Sequence, residues 1–393
     1  MGKVDPKVDE AIETLNMKDG PTRRRLLTGT GLVSATAAAS ALLTACGSSS
    51  SSAAKGGGGA SDAVGNFPKT PPWQFWFVNH VTTNLFFVPT RSGYSDAAKL
   101  LGLPTPKWGG STSALVPQMV SYLETAISAK ANGIATTVVT ADSFTTPVAN
   151  AMNAGIPVIS YNADGIYKSD GTPVIGTNRL CYVGQALYLS GQQLGERIVS
   201  LVDSGDVVIF IATPGAGNIQ PRFDGAAAAI KASGKPIKVF LQATGALTAP
   251  ELAAEKAFMT GHKNLKGAFA VDAGSTELLA QAMGATGLKI PAGGFDLTPG
   301  TLTAIQAGQL DFTIDQEPYL QGFLPTLYLY LYNLSGGLVL PPDTDTGLTF
   351  VTKSNVGPYL NSKTSYEGSS GVTLPTLVPR SGAIQNPVAT TST

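Results

Sequence analysis

The chain has 393 residues, 43% of them hydrophobic and only 13% charged, with 26 lysines and arginines set against 26 aspartates and glutamates. Balanced charge, with no basic run beyond the first 25 residues, leaves no electrostatic footprint for nucleic acid. Two histidines and two cysteines form no cluster with metal-ligand spacing, so neither a metal site nor a disulfide framework is expected, and the core must supply the stability.

Near the start, Arg23-Arg24-Arg25-Leu26-Leu27 precedes an Ala-rich apolar run that stops at Leu43-Thr44-Ala45-Cys46. A charged region, a short apolar stretch and a small-residue cleavage site make an export signal. The run is diluted by Thr, Ser and Gly, short of the ~20 mostly apolar residues of a spanning helix. The paired arginines resemble a twin-arginine signal, and Leu43 to Cys46 resembles the lipobox of bacterial lipoproteins. That resemblance implies cleavage before Cys46 and acylation of Cys46, which would hold the body on the outer side of the cytoplasmic membrane. It also leaves Cys181 without a partner in the chain. Residues 1–45 are therefore expected to be a signal peptide. Residues 46–72, mostly Ser, Gly and Ala at their start, are expected to be a flexible tether, and 373–393 a polar tail.

Between these ends, short apolar runs alternate with helical patterns. A strand at 73–78 is followed by a helix through Ala97, Leu100 and Leu101, a helix at 115–128 and a strand at 134–139. A helix at 148–154 and a strand at 156–161 complete the first series. The second has strands at 207–211, 237–242, 267–271, 289–295 and 312–315, helices at 224–232, 251–259 and 277–283, and then a long helix at 320–334. Such alternation predicts parallel sheets covered on both faces. The pattern occurs twice, divided near 182–185, so the expected fold is α/β, with two doubly wound parallel-sheet lobes.

In such sheets ligands bind beyond the carboxyl ends of the strands. Those positions hold Asn79, His80, Asn84, Asn162, Asp164, Asp272, Asp296 and Gln316. They are hydrogen-bonding side chains without a nucleophile and its base, which suits a polyhydroxylated ligand.

Six segments carry a resemblance over residues 73–351. They are Asn84-Leu85-Phe86-Phe87, Pro157 to Asn162, Val183-Gly184-Gln185 with Gly191 and Gly195-Glu196, Arg222-Phe223-Asp224-Gly225, Gly294 to Pro299, and Gln316-Glu317-Pro318 with Gly322. In order and spacing they resemble the periplasmic sugar-binding proteins of the ribose/galactose type, the solute receptors of ABC importers. The resemblance implies three crossings between the lobes. Residues 73–184 and 317–342 would form the first lobe, and 185–316 and 343–372 the second lobe and hinge. It also implies that Phe86 or Phe87 stacks on the apolar face of a sugar, that Asn84 bonds a hydroxyl, and that Asp296 and Gln316 bind hydroxyls from the second lobe and hinge. Aromatic rings cover C–H surface while amides and carboxylates fix hydroxyls, so such sites combine both. Two arginines common in the family are missing: Ala163 follows Asn162, and Gln220 stands two residues before Arg222. Loss of these forks beside retained acids points to a neutral monosaccharide or sugar alcohol.

Competing readings stand beside several of these residues. Phe86 and Phe87 suit a core as well as a site, Asp296 suits a cap of the helix over Thr298-Pro299, Arg222 suits a structural partner, and His80 suits a satisfied structural donor. The expected site is His80, Asn84, Phe86, Phe87, Asn162, Asp164, Gln220, Arg222, Asp272, Asp296 and Gln316. No cofactor and no catalysis are expected, and the expected partners are a sugar or polyol, an ABC permease and ATPase, and the membrane through the lipid anchor, the protein itself being a monomer. Two rival functions remain open: an exported carbohydrate hydrolase using two acids such as Asp272 and Asp296, and a sugar sensor that passes its closed state to a signalling receptor.

Overall fold

Apolar runs that are buried along their whole length build the centre of each sheet. In the computed structural model, which describes residues 70–168 and 170–361, every residue of Phe75–Asn79 (β1), Gly133–Val138 (β3) and Val158–Asp164 (β4) is buried. The expected signal peptide, Cys46, most of the tether and the tail lie outside the described residues.

The first sheet is completed by the edge strand Lys107–Gly110 (β2), by Tyr182–Gly184 (β7) and, late in the chain, by Thr344–Asp345 (β13). Its order is β13-β7-β4-β3-β1-β2, parallel throughout. A short hairpin, Ile166–Tyr167 (β5) with Pro173–Val174 (β6), follows β4. The helices Val88–Leu100 (α1), Val116–Ser128 (α2) and Ala141–Asn153 (α3) connect these strands. The second sheet uses Gly205–Ile211 (β8), Ile237–Ala243 (β9), Gly267–Ala270 (β10), Ala292–Phe295 (β11) and Phe312–Asp315 (β12), with Thr349–Thr352 (β14) antiparallel at its edge. Its order, β14-β12-β11-β10-β8-β9, repeats that of the first. The helices of this half are Leu187–Leu201 (α4), Gln220–Ala232 (α5), Thr248–Gly261 (α6), Ala273–Thr286 (α7) and Pro299–Ala307 (α8). Leu320–Leu334 (α9) returns to the first lobe, and Gly357–Asn361 (α10) lies beside α8.

The fold is α/β with two doubly wound lobes, as the alternation predicts. Differences from the sequence reading have local causes. β2 reads Lys-Trp-Gly-Gly and is only partly buried, so it lacks the apolar run of a central strand. α3 starts at Ala141 rather than Val148: the helix runs through Pro147, a residue that ordinarily marks a helix boundary, with Phe144 and Val148, one turn apart, sharing its buried face. α8 begins on Thr298-Pro299, where the sequence reading places a helix start.

The chain crosses between lobes after β7, after β12 and between β13 and β14. Two pairs of helices meet at glycines. A Cβ on Gly191 of α4 would stand 2.2 Å from Arg222 O, and one on Gly225 of α5 would stand 2.1 Å from Tyr188 O. Likewise Gly93 of α1 lies against Tyr319 O, and Gly322 of α9 against Thr90 O. Gly191, Gly225 and Gly322, all in the resemblance motifs, therefore serve close helix packing. Among the described residues no helix is long and apolar enough to cross a membrane, and no group of acidic, His or Cys side chains could hold a metal ion.

Candidate functional site

The strand order reverses beside β1 in the first sheet and beside β8 in the second. The crevice beyond the carboxyl ends of β1 and β3, and of β8 and β10, is thus where a ligand is expected. A surface depression of about 780 Å³ lined by Trp73, Asn132, Gly155 and Asn333 lies at the opposite end of the first sheet, where strands begin.

At the tip of the first sheet the side chains are aromatic. Asn84 Oδ1 accepts the Phe86 amide at 2.9 Å and caps a single 3₁₀ turn, Leu85–Phe87. That turn buries Phe86 and Phe87 with ring centroids 4.7 Å apart and nearly perpendicular. Phe87 also lies 5.9 Å from Trp108 and edge-on to His80 at 5.3 Å. Phe77, Tyr94, Ala135 and Tyr161 complete the cluster, joined by Ala273 from the second lobe. Asn79 is buried and donates to Tyr161 Oη at 2.9 Å. His80 Nδ1 lies 3.2 Å from Thr137 Oγ1, and burial pushes the imidazole down to about 4, so it is neutral at ordinary pH.

At the tip of the second sheet the side chains are ionisable. Asp296, immediately after β11, has φ of 78°, a left-handed backbone that non-glycine residues rarely adopt. Its Oδ1 accepts Gln316 Nε2 at 2.6 Å. Burial raises its pKa to about 6, against the opposing pull of Arg222 and the Gln316 bond. Gln316 Oε1 accepts Gln321 Nε2 at 3.2 Å, and Gln321 Oε1 accepts Asn162 Nδ2 at 3.0 Å. Asn162 also has a left-handed φ, 62°, at the point where β4 loses register with β3. A continuous polar chain thus runs from the first sheet through the second crossing to Asp296.

Arg222 forms the other branch. Its guanidinium donates to Val271 O at 3.0 Å and to Gln185 Oε1 at 3.1 Å, and it lies 4.2 Å over the Phe295 ring. Gln185 Nε2 in turn donates to Gly347 O at 3.2 Å, so one arginine ties the first and third crossings to β10. Arg222 Nε is buried with no partner among the described residues. Asp272 caps α7: Oδ1 accepts Ser275 N at 2.9 Å, and Oδ2 accepts Ala212 N at 2.8 Å.

This arrangement puts rings at the tip of the first sheet, with Ala273 of the second lobe among them, and buried amides and acids at the tip of the second. A family profile described as the periplasmic binding protein domain matches residues 75–334. The chain belongs to the periplasmic binding protein family. It is 47% identical, over 79% of each chain, to the xylose/arabinose-binding protein of Sulfolobus acidocaldarius. Among solved structures it is similar to an ABC transporter solute-binding protein of Burkholderia graminis in complex with D-arabinose. That match has 26% identity and a TM-score of 0.67, covering 75% of this chain and 99% of the other. A carbohydrate transporter of Acidothermus cellulolyticus in complex with myo-inositol matches at 25% identity and a TM-score of 0.64, covering 74% and 97%.

As a periplasmic binding protein the chain is a binding protein and not an enzyme, which removes the hydrolase reading. Both oxygens of Asp272, one of the two acids that reading needed, are engaged at the start of α7. Of the expected site residues, Asp296, Gln316 and Asn162 are joined by one hydrogen-bond chain, and His80, Phe86 and Phe87 share one aromatic cluster. Asn84 holds the turn beneath that cluster. Three others are occupied elsewhere. Asp164 receives Arg179 Nε at 3.0 Å and forms a buried ion pair with it, Arg179 also reaching Asp343 at 2.9 Å. Gln220 Oε1 accepts Gly215 N and its Nε2 donates to Asp224, both at 2.8 Å. Arg222 spans the hinge. The cap of α8 is Thr298, not Asp296: Thr298 is extended, as cap residues are, and accepts Thr301 N. Gln321 and Arg179 are not among the residues the sequence reading singles out. Only Gln321 carried a signal, standing directly before Gly322 in the second-crossing motif.

Proposed function

We propose that this binding protein is an exported, lipid-anchored receptor for a neutral monosaccharide, an aldopentose of the xylose or arabinose type. Its two lobes enclose the sugar and present it to an ABC permease and its ATPase. The observation that carries the reading is that the ring cluster around Phe86 and Phe87, with Ala273 of the second lobe among it, stands at the tip of one sheet while the buried Asp296–Gln316 pair stands at the tip of the other. Rings cover the C–H face of a pyranose, and a carboxylate backed by an amide accepts from its hydroxyls more strongly than a neutral acceptor does. The 47% identity to a xylose/arabinose-binding protein supports the pentose class. Neutrality of the ligand is supported by Ala163 and Gln220, and by the commitment of the Arg179 fork to Asp164 and Asp343. The sugar stabilises the closed arrangement because it touches both lobes only there. A sugar alcohol is the second reading, favoured by the myo-inositol complex of the Acidothermus neighbour.

Titration calorimetry and thermal-shift measurements with D-xylose, L-arabinose, D-arabinose and myo-inositol test the reading. At least one aldopentose is expected to bind and raise the midpoint in the way that binding to the folded state alone requires. A panel that leaves heat and midpoint unchanged overturns it. The anchor is tested separately: Cys46→Ser is expected to release the protein from the membrane fraction, and retention there would remove the anchor from the proposal.

A further inference from the structure

Away from the hinge, the lobes meet where the loop between β8 and α5 reaches the first sheet. Gly217 N donates to Val139 O at 2.9 Å, a backbone hydrogen bond from one lobe to the other. Asn218 Nδ2 lies 3.2 Å from His80 Nε2, and His80 Nδ1 is held by Thr137. Since the ring is neutral, Nδ1–H donates to the Thr137 hydroxyl and Nε2 accepts from Asn218. A short distance away, Ala273 of the second lobe sits among the rings of the first.

Gly217 is unusual among the glycines of the chain. Its φ is not positive, so a side chain would be tolerated by its own backbone. Yet a Cβ there would stand 1.8 Å from Gly165 O and 3.0 Å from Val139 O, both across the cleft. Nothing within its own lobe stands as near. The space that glycine keeps open is therefore required only when the lobes are together.

We propose that Gly217 and Asn218 are one half of a latch whose other half is Val139, Gly165 and His80, engaged on closure and setting how long the ligand is held. The inference rests on the solute-capture reading above and adds to it the residues that stabilise the closed state without belonging to the Asp296–Gln316 pair. The latch joins main chain to main chain, which fixes the distance between lobes independently of which sugar lies inside. A closed state stabilised this way slows release more than it alters encounter.

The test compares wild type, Gly217→Ala and Asn218→Ala as full chains. Small-angle scattering is measured with and without D-xylose and L-arabinose, alongside sugar affinity, dissociation rate and the unliganded unfolding midpoint. Gly217→Ala is expected to keep the unliganded midpoint, to stay expanded with saturating sugar, and to bind about tenfold or more weakly through faster dissociation. Asn218→Ala is expected to lose about threefold, since one hydrogen bond of ordinary strength is removed. A Gly217→Ala protein that compacts fully and binds as wild type does overturns the latch. If wild type binds no sugar, the solute reading fails on its own. The latch is then judged on the unliganded scattering, where wild type must be more compact than Gly217→Ala, and equal dimensions overturn it.

Discussion

The two sheet tips share a topology and differ in chemistry. Beyond β1 and β3 stand rings and neutral amides: Phe86, Phe87, Tyr94, Trp108, Tyr161 and Asn79. Beyond β8, β10 and β11 stand Arg222, Asp272 and Asp296, all buried. The same strand order therefore sets where a site lies and not what it contacts. The first lobe offers a surface whose cohesion is apolar and insensitive to pH. The second offers charges held together by hydrogen bonds and by the hinge, so the pH dependence and, under the proposed function, most of the directional recognition are assigned to it.

The strongest way to break this comparison is at Arg179, a first-lobe guanidinium buried against the Asp164 carboxylate. Removing one partner of a buried pair leaves the other uncompensated, so Arg179→Ala is expected to lose about 3–5 kcal/mol of stability. Asp164→Asn is expected to lose stability while sugar affinity holds. Urea unfolding with calorimetric titration measures both, and a large affinity loss in Asp164→Asn would return that acid to the site. Next comes Asp296→Asn, which keeps the shape and removes the charge. Hydrogen bonds to charged groups contribute about 1.5–3 kcal/mol, so affinity should fall by roughly one to two orders of magnitude at unchanged fold. An affinity within a factor of two of wild type would move recognition to the first lobe.

Two smaller effects sharpen the contrast. Phe86, the more exposed of the adjacent rings, is expected to cost about 1 kcal/mol of binding when changed to Ala. Phe87→Ala, packed between His80 and Trp108, is expected to cost mainly stability, by about 3 kcal/mol. The reverse pattern would exchange their roles.

The last effect is in pH. Burial raises Glu251 to about 8 and Glu255 to about 10 in the second lobe, with Asp272 adding to both, and neither Glu255 oxygen has a partner among the described residues. Their folded pKa values lie above those of the unfolded chain, so the stabilising contribution is whole below the usual carboxylate range. It is lost as pH rises through the folded values. The unfolding midpoint is expected to decline from pH 5 to 9, and less steeply in Glu255→Gln; parallel curves would exclude Glu255 as the source. Asp296 works against this trend in binding: below its pKa of about 6 it takes up a proton, and sugar affinity is expected to weaken there.

Alternation of buried runs with amphipathic ones determined the architecture. Central strands such as β3 and β4 are apolar because both faces are covered, and that property is local enough to read. The rule that ligands lie beyond strand ends singles out Asn79, His80, Asp296 and Gln316, because each stands at or directly after the end of a legible strand. What the chain's order could not show is which of these side chains meet a partner far away in sequence. Asp164 finds Asp343's partner Arg179, Asn162 finds Gln321 across 159 positions, and His80 finds Asn218 across 138. Hydrogen bonds are directional and short, so their pairing depends on the final placement of both elements to within a fraction of an ångström. Hydrophobic burial needs no such precision, which is why the fold was readable along the chain while the hinge network and the lobe contacts were decided only by the tertiary structure.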